Sequence, residues 1–512
     1  MNSGFRVGDL LQRASDLFPG RKVIWDKGSM TYREMRDRVH RLAGSLTGLG
    51  VHKGSVIAVA DWNSREFAEM FFAAALTGAV VYPINIRLPP ELAIRTIKES
   101  GAEWFEVSKD FVPFAAGAGA SRDRTITIGD GDGLTHESLV KSGKPLQAGT
   151  EVSGKDPYSI LFTSGTTGPP KGILYTQEKV VSGAMGIVHQ LGLFNTPATL
   201  NSNDVIMPLI PFYHLWAWGS LFHATYLGSD YVLGGRFDPQ KTVDMIDRHG
   251  VTWINGIPTM IQEIMRVDTS GRLKGLKAIV GGSAITTALA GAMHDRGIVF
   301  STIYGGSDML ATSISLLRDG SAEAADEIRN ITHPVPFSMI SVRDENGNEK
   351  PRGEMGELWV GAPWLPDGYM NDPKRSGESY VKGWFRTGDI ARITDSGGIQ
   401  IMDRLKDVVK SGGEWIPTSI LESFISEIPS VESVAVVGKL DSKWGERPVA
   451  MIKQRAGSSL EAAEVVAHLS GCAEKGRIVK WWIPEEIIFI PEMPLTSVGK
   501  IDKKMLREKF LK

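Results

Sequence analysis

Residues 158–172 read Tyr-Ser-Ile-Leu-Phe-Thr-Ser-Gly-Thr-Thr-Gly-Pro-Pro-Lys-Gly, and the interpretation of the whole chain starts from them. The apolar run Ser159–Phe162 has the length and residue types of a buried strand. The hydroxyl and glycine residues after it can donate hydrogen bonds to phosphate oxygens, and glycine permits a close backbone approach. Lys171 adds a positive charge. The stretch therefore predicts a phosphate-binding loop formed by Thr163, Ser164, Gly165, Thr166, Thr167, Gly168 and Lys171.

Two better-known phosphate motifs do not fit this loop. The P-loop of nucleotide hydrolases has adjacent Gly and Lys followed by Ser or Thr, whereas here Pro169 and Pro170 precede Lys171 and Gly172 follows it. A G-x-G-x-x-G fingerprint after a strand is missing from the sequence as well. An ordinary surface turn rich in Ser, Thr and Gly is the alternative, so the loop needs support from other motifs.

The stretch Phe162–Gly172 resembles the phosphate-loop signature of the adenylate-forming superfamily. That superfamily includes acyl-CoA synthetases, stand-alone adenylation domains and firefly-type luciferases. The resemblance extends from about Thr31 to Lys512, nearly the whole chain. It implies an enzyme that activates a carboxylic acid with ATP and then passes the acyl group to a thiol.

Composition describes an ordinary globular protein. The chain has 512 residues, of which 42% are apolar and 23% charged, and its net charge of -2 gives no reason to expect nucleic acid as a partner. The single cysteine, Cys472, excludes a disulfide framework and a Cys-rich metal site. The N-terminus lacks the apolar region of a signal peptide, and the longest apolar stretch, Phe67–Pro83, contains Glu69 and is too short to span a bilayer. We expect a cytoplasmic enzyme, and a homodimer is an open alternative to a monomer.

The order of predicted elements indicates an α/β fold. Strands and helices alternate in two rounds, before and after the phosphate loop, which predicts parallel sheets covered by helices. One helix is predicted to start at the capping box of Thr31 and Glu34, and another at Leu215. The region 328–401 predicts a small β-barrel. The predicted fold is a large N-terminal domain of two related sheet subdomains plus this barrel (1–402), a hinge (403–406) and a mobile α+β C-terminal domain (407–512).

The stretch Tyr304-Gly-Gly-Ser-Asp308 resembles the superfamily's adenine and magnesium motif. The resemblance implies that Tyr304 stacks on adenine beside Gly305, that Ser307 contacts phosphate, and that Asp308 holds Mg²⁺ through oxygen. The family pattern has Thr and Glu where this chain has Ser307 and Asp308. The carboxylate is one methylene shorter, so its metal contact can run through water. A turn that caps a helix is the alternative. Gly282 and Ser283 are further candidate nucleotide contacts.

Two stretches near the predicted domain boundary also match superfamily motifs. In Trp384-Phe-Arg-Thr-Gly-Asp389, the resemblance implies that Asp389 accepts hydrogen bonds from the ribose hydroxyls. The second runs from Asp403 to Glu414. There the resemblance implies that Arg404 binds ribose or phosphate, that Lys406 is the pivot between two domain orientations, and that Lys410, Gly412 and Gly413 lie beside CoA. Without the family, the two lysines read as solvated surface charges.

The remaining predictions concern the reacting carboxylate. By resemblance, Lys500 at the end of Pro494–Lys500 bridges the carboxylate and the α-phosphate as charge builds. The stretch Pro-Phe-Tyr-His214 also matches a superfamily motif, and the resemblance implies that His214 lies between adenylate and acyl pocket, although a structural histidine is the alternative. The predicted acyl-pocket residues are His214, Trp218, Pro258, Gly281 and Leu310. Trp216 is two residues from Trp218, so at most one of the two needs to line the site.

These motifs favour an ATP-dependent acid:CoA ligase that uses ATP, Mg²⁺ and CoA and releases AMP and pyrophosphate. The expected substrate is a small to medium, non-polar carboxylic acid, with an aryl acid left open. The alternative is a stand-alone adenylation enzyme that loads a carrier-protein thiol in trans. An oxidative luciferase and a catalytically dead nucleotide sensor are more distant alternatives. A requirement for free CoA separates the first two.

Overall fold

A computed structural model describes residues 4–146, 151–163, 170–316, 324–494 and 501–511. The predicted positions Ser164 to Gly168 and Lys500 lie outside the described residues. The chain forms two compact units: a large unit of Met1–Met339 and Val360–Phe385, and a small unit of Ile340–Trp359 and Arg386–Lys512. The hinge at 403–406 stays a prediction.

The described helices and strands alternate over much of the chain. The helices are α1 Val7–Leu17, α2 Tyr32–Gly48, α3 Arg65–Thr77, α4 Pro90–Ser100, α5 Val112–Ala118, α6 His136–Ser142, α7 Gln177–Leu193, α8 Ser220–Leu227, α9 Pro239–His249, α10 Pro258–Val267, α11 Thr287–Asp295, α12 Ala324–Asn330, α13 Pro373–Ser379, α14 Thr418–Ile425, α15 Ala462–Glu474 and α16 Lys503–Phe510. The strands are β1 Lys22–Trp25, β2 Gly28–Thr31, β3 Val56–Ala60, β4 Val80–Pro83, β5 Trp104–Ser108, β6 Thr125–Ile128, β7 Pro157–Phe162, β8 Gly172–Thr176, β9 Val205–Pro208, β10 Asp230–Leu233, β11 Trp253–Gly256, β12 Lys277–Gly281, β13 Val299–Gly306, β14 Leu310–Ile314, β15 Ile331–Pro334, β16 Met339–Arg343, β17 Gly356–Gly361, β18 Tyr380–Val381, β19 Trp384–Ile393, β20 Ile399–Arg404, β21 Val409–Ser411, β22 Glu414–Ile416, β23 Val431–Asp441, β24 Gly445–Gln454 and β25 Glu486–Phe489.

The large unit contains two mainly parallel sheets. The first has the strand order β6-β5-β3-β4-β7-β8, and only β8 is antiparallel to its neighbour. In the second, the order β2-β1-β10-β9-β11-β12-β13-β14-β15 has a parallel centre with antiparallel strands at both ends. The main apolar core packs around a cluster of aromatic rings, Phe67, Phe71, Phe212 and Phe222. The predicted α/β class with two sheet subdomains is therefore confirmed.

Local sequence signals account for many element boundaries. Thr31 accepts from the Glu34 backbone at the start of α2, and Glu34 bonds back, so the predicted capping box is present. Helix α9 starts with Pro239 after the cap Asp238 and ends before Gly250, which has φ +60. Among the described helices, none combines the length and the apolarity needed to cross a bilayer.

The prediction that a helix starts at Leu215 is wrong. Residues Leu215–Trp218 form a left-handed turn with φ between +51 and +56, and the right-handed helix α8 starts at Ser220. Left-handed backbone costs about 1–2 kcal/mol for each non-glycine residue, so outside contacts must hold the turn. Asn255 Nδ2 donates to the Ala217 carbonyl at 2.7 Å, and the Trp216 indole donates to Ser159 at 3.0 Å.

The small unit combines three described helices, α14, α15 and α16, with a separate sheet. This sheet has the strand order β22-β21-β24-β23, with β25 parallel to β24. A second group of neighbouring strands has the order β16-β17-β19-β20. Asp403 accepts the Thr418 hydroxyl (2.6 Å) and backbone N–H at the start of α14. Lys503 of α16 donates to the same hydroxyl at 2.7 Å, so β20 and α16 both contact the start of α14.

Candidate active site

Four segments of predicted site residues follow neighbouring parallel strands in the second sheet of the large unit. Strands β9, β11, β12 and β13 lie side by side, so their carboxyl ends form one edge of the sheet, where α/β proteins bind ligands. The segments at that edge are His214–Trp218 after β9, Pro258 after β11, Gly281–Ser283 at the end of β12 and Tyr304–Asp308 at the end of β13.

The ends of the predicted phosphate loop are joined by a hairpin between β7 and β8. Thr163 N donates to the Lys171 carbonyl at 3.0 Å, and Lys171 N donates to the Thr163 hydroxyl at 3.1 Å. Lys171 Nζ lies 4.3 Å from the centroid of the Tyr369 ring, a cation–π distance. The described ends of the loop thus hold a cation against an aromatic side chain.

Aromatic donors hold the turn that carries Asp308. Three side chains donate hydrogen bonds to consecutive backbone carbonyls of the 307–309 turn. The Tyr175 hydroxyl bonds the carbonyl of residue 307 (2.8 Å), the Tyr380 hydroxyl that of residue 308 (2.9 Å) and the Trp364 indole that of residue 309 (3.1 Å). Tyr369 OH donates to the Asp308 carboxylate at 2.7 Å. Burial raises the pKa of Tyr175, Tyr369 and Tyr380, so these hydroxyls stay protonated.

Gly305 permits the close approach of two strands at this turn. The pairing of β13 with β14 shifts register at Tyr304 and Gly305, and a side chain at Gly305 would meet the backbone of Leu310. Leu310 itself has φ +59 and is buried against Gly183 of α7. The turn is thus strained and tightly packed, as is common at functional sites.

Trp218 lies against the glycines at the end of β12. A Cβ added to Gly281 would lie 3.4 Å from the Trp218 ring and 2.6 Å from the Ile303 carbonyl, so only glycine fits. Trp216 points instead into the core, where it is 2% exposed, and His214 is exposed. The structure brings together Trp218, Gly281 and Gly282, whereas Leu310 packs on α7.

Asp389 and Arg404 form an ion pair within the small unit. They are direct partners in the β19–β20 ladder, and Arg404 Nε lies 2.8 Å from Asp389 Oδ1. Asp389 is 4% exposed, while the Arg404 side chain is 60% exposed. Exposed Lys406 is near the last helix, since Arg507 donates to its carbonyl at 3.4 Å.

Gly412, which is followed by Gly413, borders a cavity of about 740 Å³ in the small unit. Both have positive φ, +60 and +85, as tight turns require. Lys410 pairs with Glu345 and lies 5.9 Å from the Trp415 ring centroid. Sequence reasoning missed the aromatic and basic side chains that line the cavity, because they come from distant segments: Trp444, Arg447, Lys480 and Trp481.

One further group has the donor types of a metal site. Glu427, His468 and Cys472 have ligand atoms within 4.8 Å of one another. However, His468 Nε2 bonds the Phe424 carbonyl at 3.0 Å, and Glu427 pairs with Arg477 at 3.1 Å. These groups are satisfied within the protein, and we assign no ion to them.

Comparison with protein families identifies the chain. A family model for AMP-binding enzymes matches residues 11–370, and a model for the AMP-binding enzyme C-terminal domain matches residues 421–500. The chain belongs to the AMP-binding enzyme family. The adenylate-forming resemblance of Phe162–Gly172 is thereby confirmed.

Relatives of this AMP-binding enzyme are acid:CoA ligases. It is 30% identical to a long-chain-fatty-acid–CoA ligase of Thermus thermophilus, over 100% of this chain and 96% of the relative. It is also 30% identical to a 3-methylmercaptopropionyl-CoA ligase of Ruegeria pomeroyi (98% and 97% covered) and to a feruloyl-CoA synthase of an Amycolatopsis species (94% and 94%). It is an AMP-forming acyl-CoA synthetase, as the motifs predicted.

Solved structures share its fold. A crystal structure of the anthranilate CoA ligase AuaEII in complex with anthranoyl-AMP aligns with a TM-score of 0.85 at 21% identity, covering 99% of this chain and 98% of that one. A Mycobacterium tuberculosis fatty acyl CoA synthetase aligns with a TM-score of 0.74 at 26% identity, with coverage of 99% and 98%. These likenesses confirm the architecture of a large N-terminal and a small C-terminal region.

Proposed function

We propose that this acyl-CoA synthetase activates a small to medium, non-polar carboxylic acid with Mg²⁺-bound ATP and transfers the acyl group to CoA. One observation supports the nucleotide half of this proposal. Lys171 at the phosphate hairpin and Asp308 at the 307–309 turn contact the same side chain, Tyr369, through its ring and its hydroxyl. The proposed phosphate-binding cation and the proposed metal-binding carboxylate thus both contact one tyrosine side chain.

The donors at this turn fit magnesium. Mg²⁺ prefers oxygen ligands and keeps several waters, so one carboxylate together with ATP phosphates suffices. Asp308 would hold the ion, directly or through water, beside Ser307. When bound, the ion neutralises charge on the phosphates. Tyr304 would stack on adenine, with Gly305, Gly282 and Ser283 bordering the nucleotide, and Asp389 would accept the ribose hydroxyls with Arg404 beside it.

Adenylation requires two anions to meet. The substrate carboxylate attacks the α-phosphorus, and pyrophosphate leaves with the pair of electrons of the broken P–O bond. Lys171 and the amides of Thr163–Gly168 would stabilise the phosphate charge, and Lys500 would bridge the carboxylate and the α-phosphate. His214 would lie where the carboxylate enters.

Thioester formation would use the small unit. The unit would rotate about Lys406, withdraw Lys500 and bring Gly412 and Gly413 to the pantetheine arm. The CoA thiolate then attacks the acyl carbonyl, and AMP leaves. The cavity beside Gly412 supports CoA binding, since tryptophan faces and the cations Arg447 and Lys480 suit a nucleotide with phosphates.

The acyl pocket favours an uncharged chain. In the proposed pocket, Trp218, Pro258, Gly281 and Leu310 are apolar, and the ammonium of an amino acid would need a buried partner. The names of the relatives include aliphatic and aromatic acids. We therefore propose that the substrate is a non-polar acid, and this proposal includes acids with an aryl ring.

The decisive experiment separates the two half-reactions. Pyrophosphate release is measured for a panel of acids, and acyl-CoA formation is measured with free CoA. Lys500→Ala should abolish adenylation yet largely spare thioester formation from supplied acyl-AMP. Lys504→Ala is the matched control, because Lys504 is 82% exposed on α16 and should leave both steps intact.

Two results would contradict the proposal. Equal failure of both half-reactions in folded Lys500→Ala would show that this lysine does not serve adenylation alone. Pyrophosphate release that never yields acyl-CoA from free CoA would favour a carrier-protein thiol as the acceptor.

A further inference from the structure

Tyr369 joins two parts of the proposed nucleotide site that are far apart in sequence. Its hydroxyl donates to Asp308 Oδ1 at 2.7 Å, and its ring lies 4.3 Å from Lys171 Nζ. Tyr369 is 8% exposed and its two partners are half-buried, so water screens both contacts only in part.

The backbone of Tyr369 belongs to the phosphate hairpin. Tyr369 pairs with Ile173 in an isolated antiparallel bridge, and Met370 N donates to the Gly172 carbonyl at 2.8 Å. Gly172 is the first residue of β8, directly after Lys171. A displacement of the end of the phosphate loop would therefore move the tyrosine that holds Asp308.

The hydroxyl of Tyr369 acts as a donor. A protonated phenol must donate to a carboxylate, which accepts only. Charge-assisted bonds of this kind fix the orientation of a ligand carboxylate.

We infer that Tyr369 is a positioning residue that aligns the metal-binding carboxylate with the phosphate-binding lysine. Its hydroxyl sets the orientation of Asp308, and its ring sets the position of the Lys171 ammonium. The short aspartate explains why this support is needed: its carboxylate lies closer to the backbone than a glutamate would, so its reach depends on a held rotamer. The inference rests on the proposed function, in which Mg²⁺ and ATP bind here.

The test measures ATP binding by calorimetry in EDTA and in excess Mg²⁺. The variants are Tyr369→Phe, which removes the hydroxyl, Tyr369→Leu, which also removes the ring, and Asp308→Asn, which shows the full effect of the carboxylate. Tyr82→Phe is the matched control, because its buried hydroxyl bonds Thr96 at 2.7 Å elsewhere in the large unit.

Each contact of Tyr369 should affect a different measurement. Tyr369→Phe should bind ATP in EDTA like the wild type but lose about tenfold of the tightening that Mg²⁺ brings, as loss of a ligand's hydrogen-bond partner typically does. Tyr369→Leu should also bind ATP several-fold more weakly in EDTA, since a cation–π contact contributes roughly a factor of three to ten. Tyr82→Phe should match the wild type in both media.

The outcomes separate the inference from the proposed function. Wild-type protein that does not bind ATP would overturn the proposed function. Wild-type binding that Mg²⁺ tightens, together with the same tightening in Tyr369→Phe, would overturn only the inference. Equal loss in both media for Tyr369→Phe would show a general packing role and would overturn it too.

Discussion

Replacing His136 with glutamine should remove a pH-dependent part of the free energy of unfolding. His136 is fully buried, with Nδ1 2.6 Å from Glu106 and Nε2 2.6 Å from Glu69. Arg38 bonds Glu69 at 2.6 Å and also pairs with Glu137. The imidazole therefore bonds carboxylates from α3 and β5, and the guanidiniums of Arg38 and Arg65 extend the cluster to Glu137 of α6.

The charges decide how stability depends on pH. Burial alone would lower the pKa of His136, but Glu106 and Glu69 raise it to about 10, above the roughly 6.5 of an unfolded chain. Burial would raise the pKa of Glu69, but His136 and Arg38 lower it to about 2. Burial raises the pKa of Glu106, Glu66 and Asp61 raise it further from a greater distance, and His136 opposes the shift.

The stabilisation by His136 is complete below about pH 6.5, where folded and unfolded imidazoles both carry the proton. Between about pH 6.5 and 10 only the folded form carries the proton, so the free energy of unfolding falls by about 1.4 kcal/mol for each pH unit. From about pH 7 to about pH 9 the loss is about 3 kcal/mol. The Glu69 contribution is present above about pH 4.5 and disappears as pH falls toward 2.

The assay is denaturant unfolding of wild type and His136→Gln at several pH values between about 6 and 9. The difference between the two proteins cancels the titration of groups outside the cluster of His136, Glu69 and Glu106. His294→Gln is the control, because the His294 side chain is 83% exposed and should leave the pH dependence unchanged. The same slope in wild type and His136→Gln would refute the reasoning.

Two further predictions concern the site's backbone. Asn255→Ala removes the 2.7 Å hydrogen bond to the Ala217 carbonyl in the left-handed turn, so the free energy of unfolding should fall by about 1–3 kcal/mol. The KM for the acid should rise, whereas the KM for ATP should not. Denaturant unfolding and steady-state kinetics measure these effects, and unchanged stability would contradict the prediction. Gly305→Ala would place a methyl group 2.6 Å from the Ala311 Cα, so it should strongly weaken ATP binding and lower the free energy of unfolding by about 1–3 kcal/mol. Gly306→Ala is the control: the added methyl group would lie 4.0 Å from its nearest neighbouring atom, so this variant should bind ATP like the wild type. Equal calorimetric affinities for the two glycine variants would rule out the strand-contact argument.

Local signals predicted the boundaries of elements well where the physics is local. Helix α2 starts at the predicted capping box because Thr31 and Glu34 each bond the other's backbone in its first turn. The same kind of reasoning failed at Leu215–Trp218, whose residues favour an ordinary helix. There the left-handed conformation depends on Asn255, which is distant in sequence, so no local pattern could indicate it.

Sequence alone determined the family, the enzyme class, the alternating α/β order and the identity of the motifs, since periodicity, caps and short motifs are properties of neighbouring residues. Only the tertiary structure decided what supports those motifs. Tyr369, Tyr380 and Trp364 reach the 307–309 turn because chain segments some sixty residues away pack beside it. Hydrogen bonds between such segments depend on strand register and packing, and these arise only when the whole unit folds.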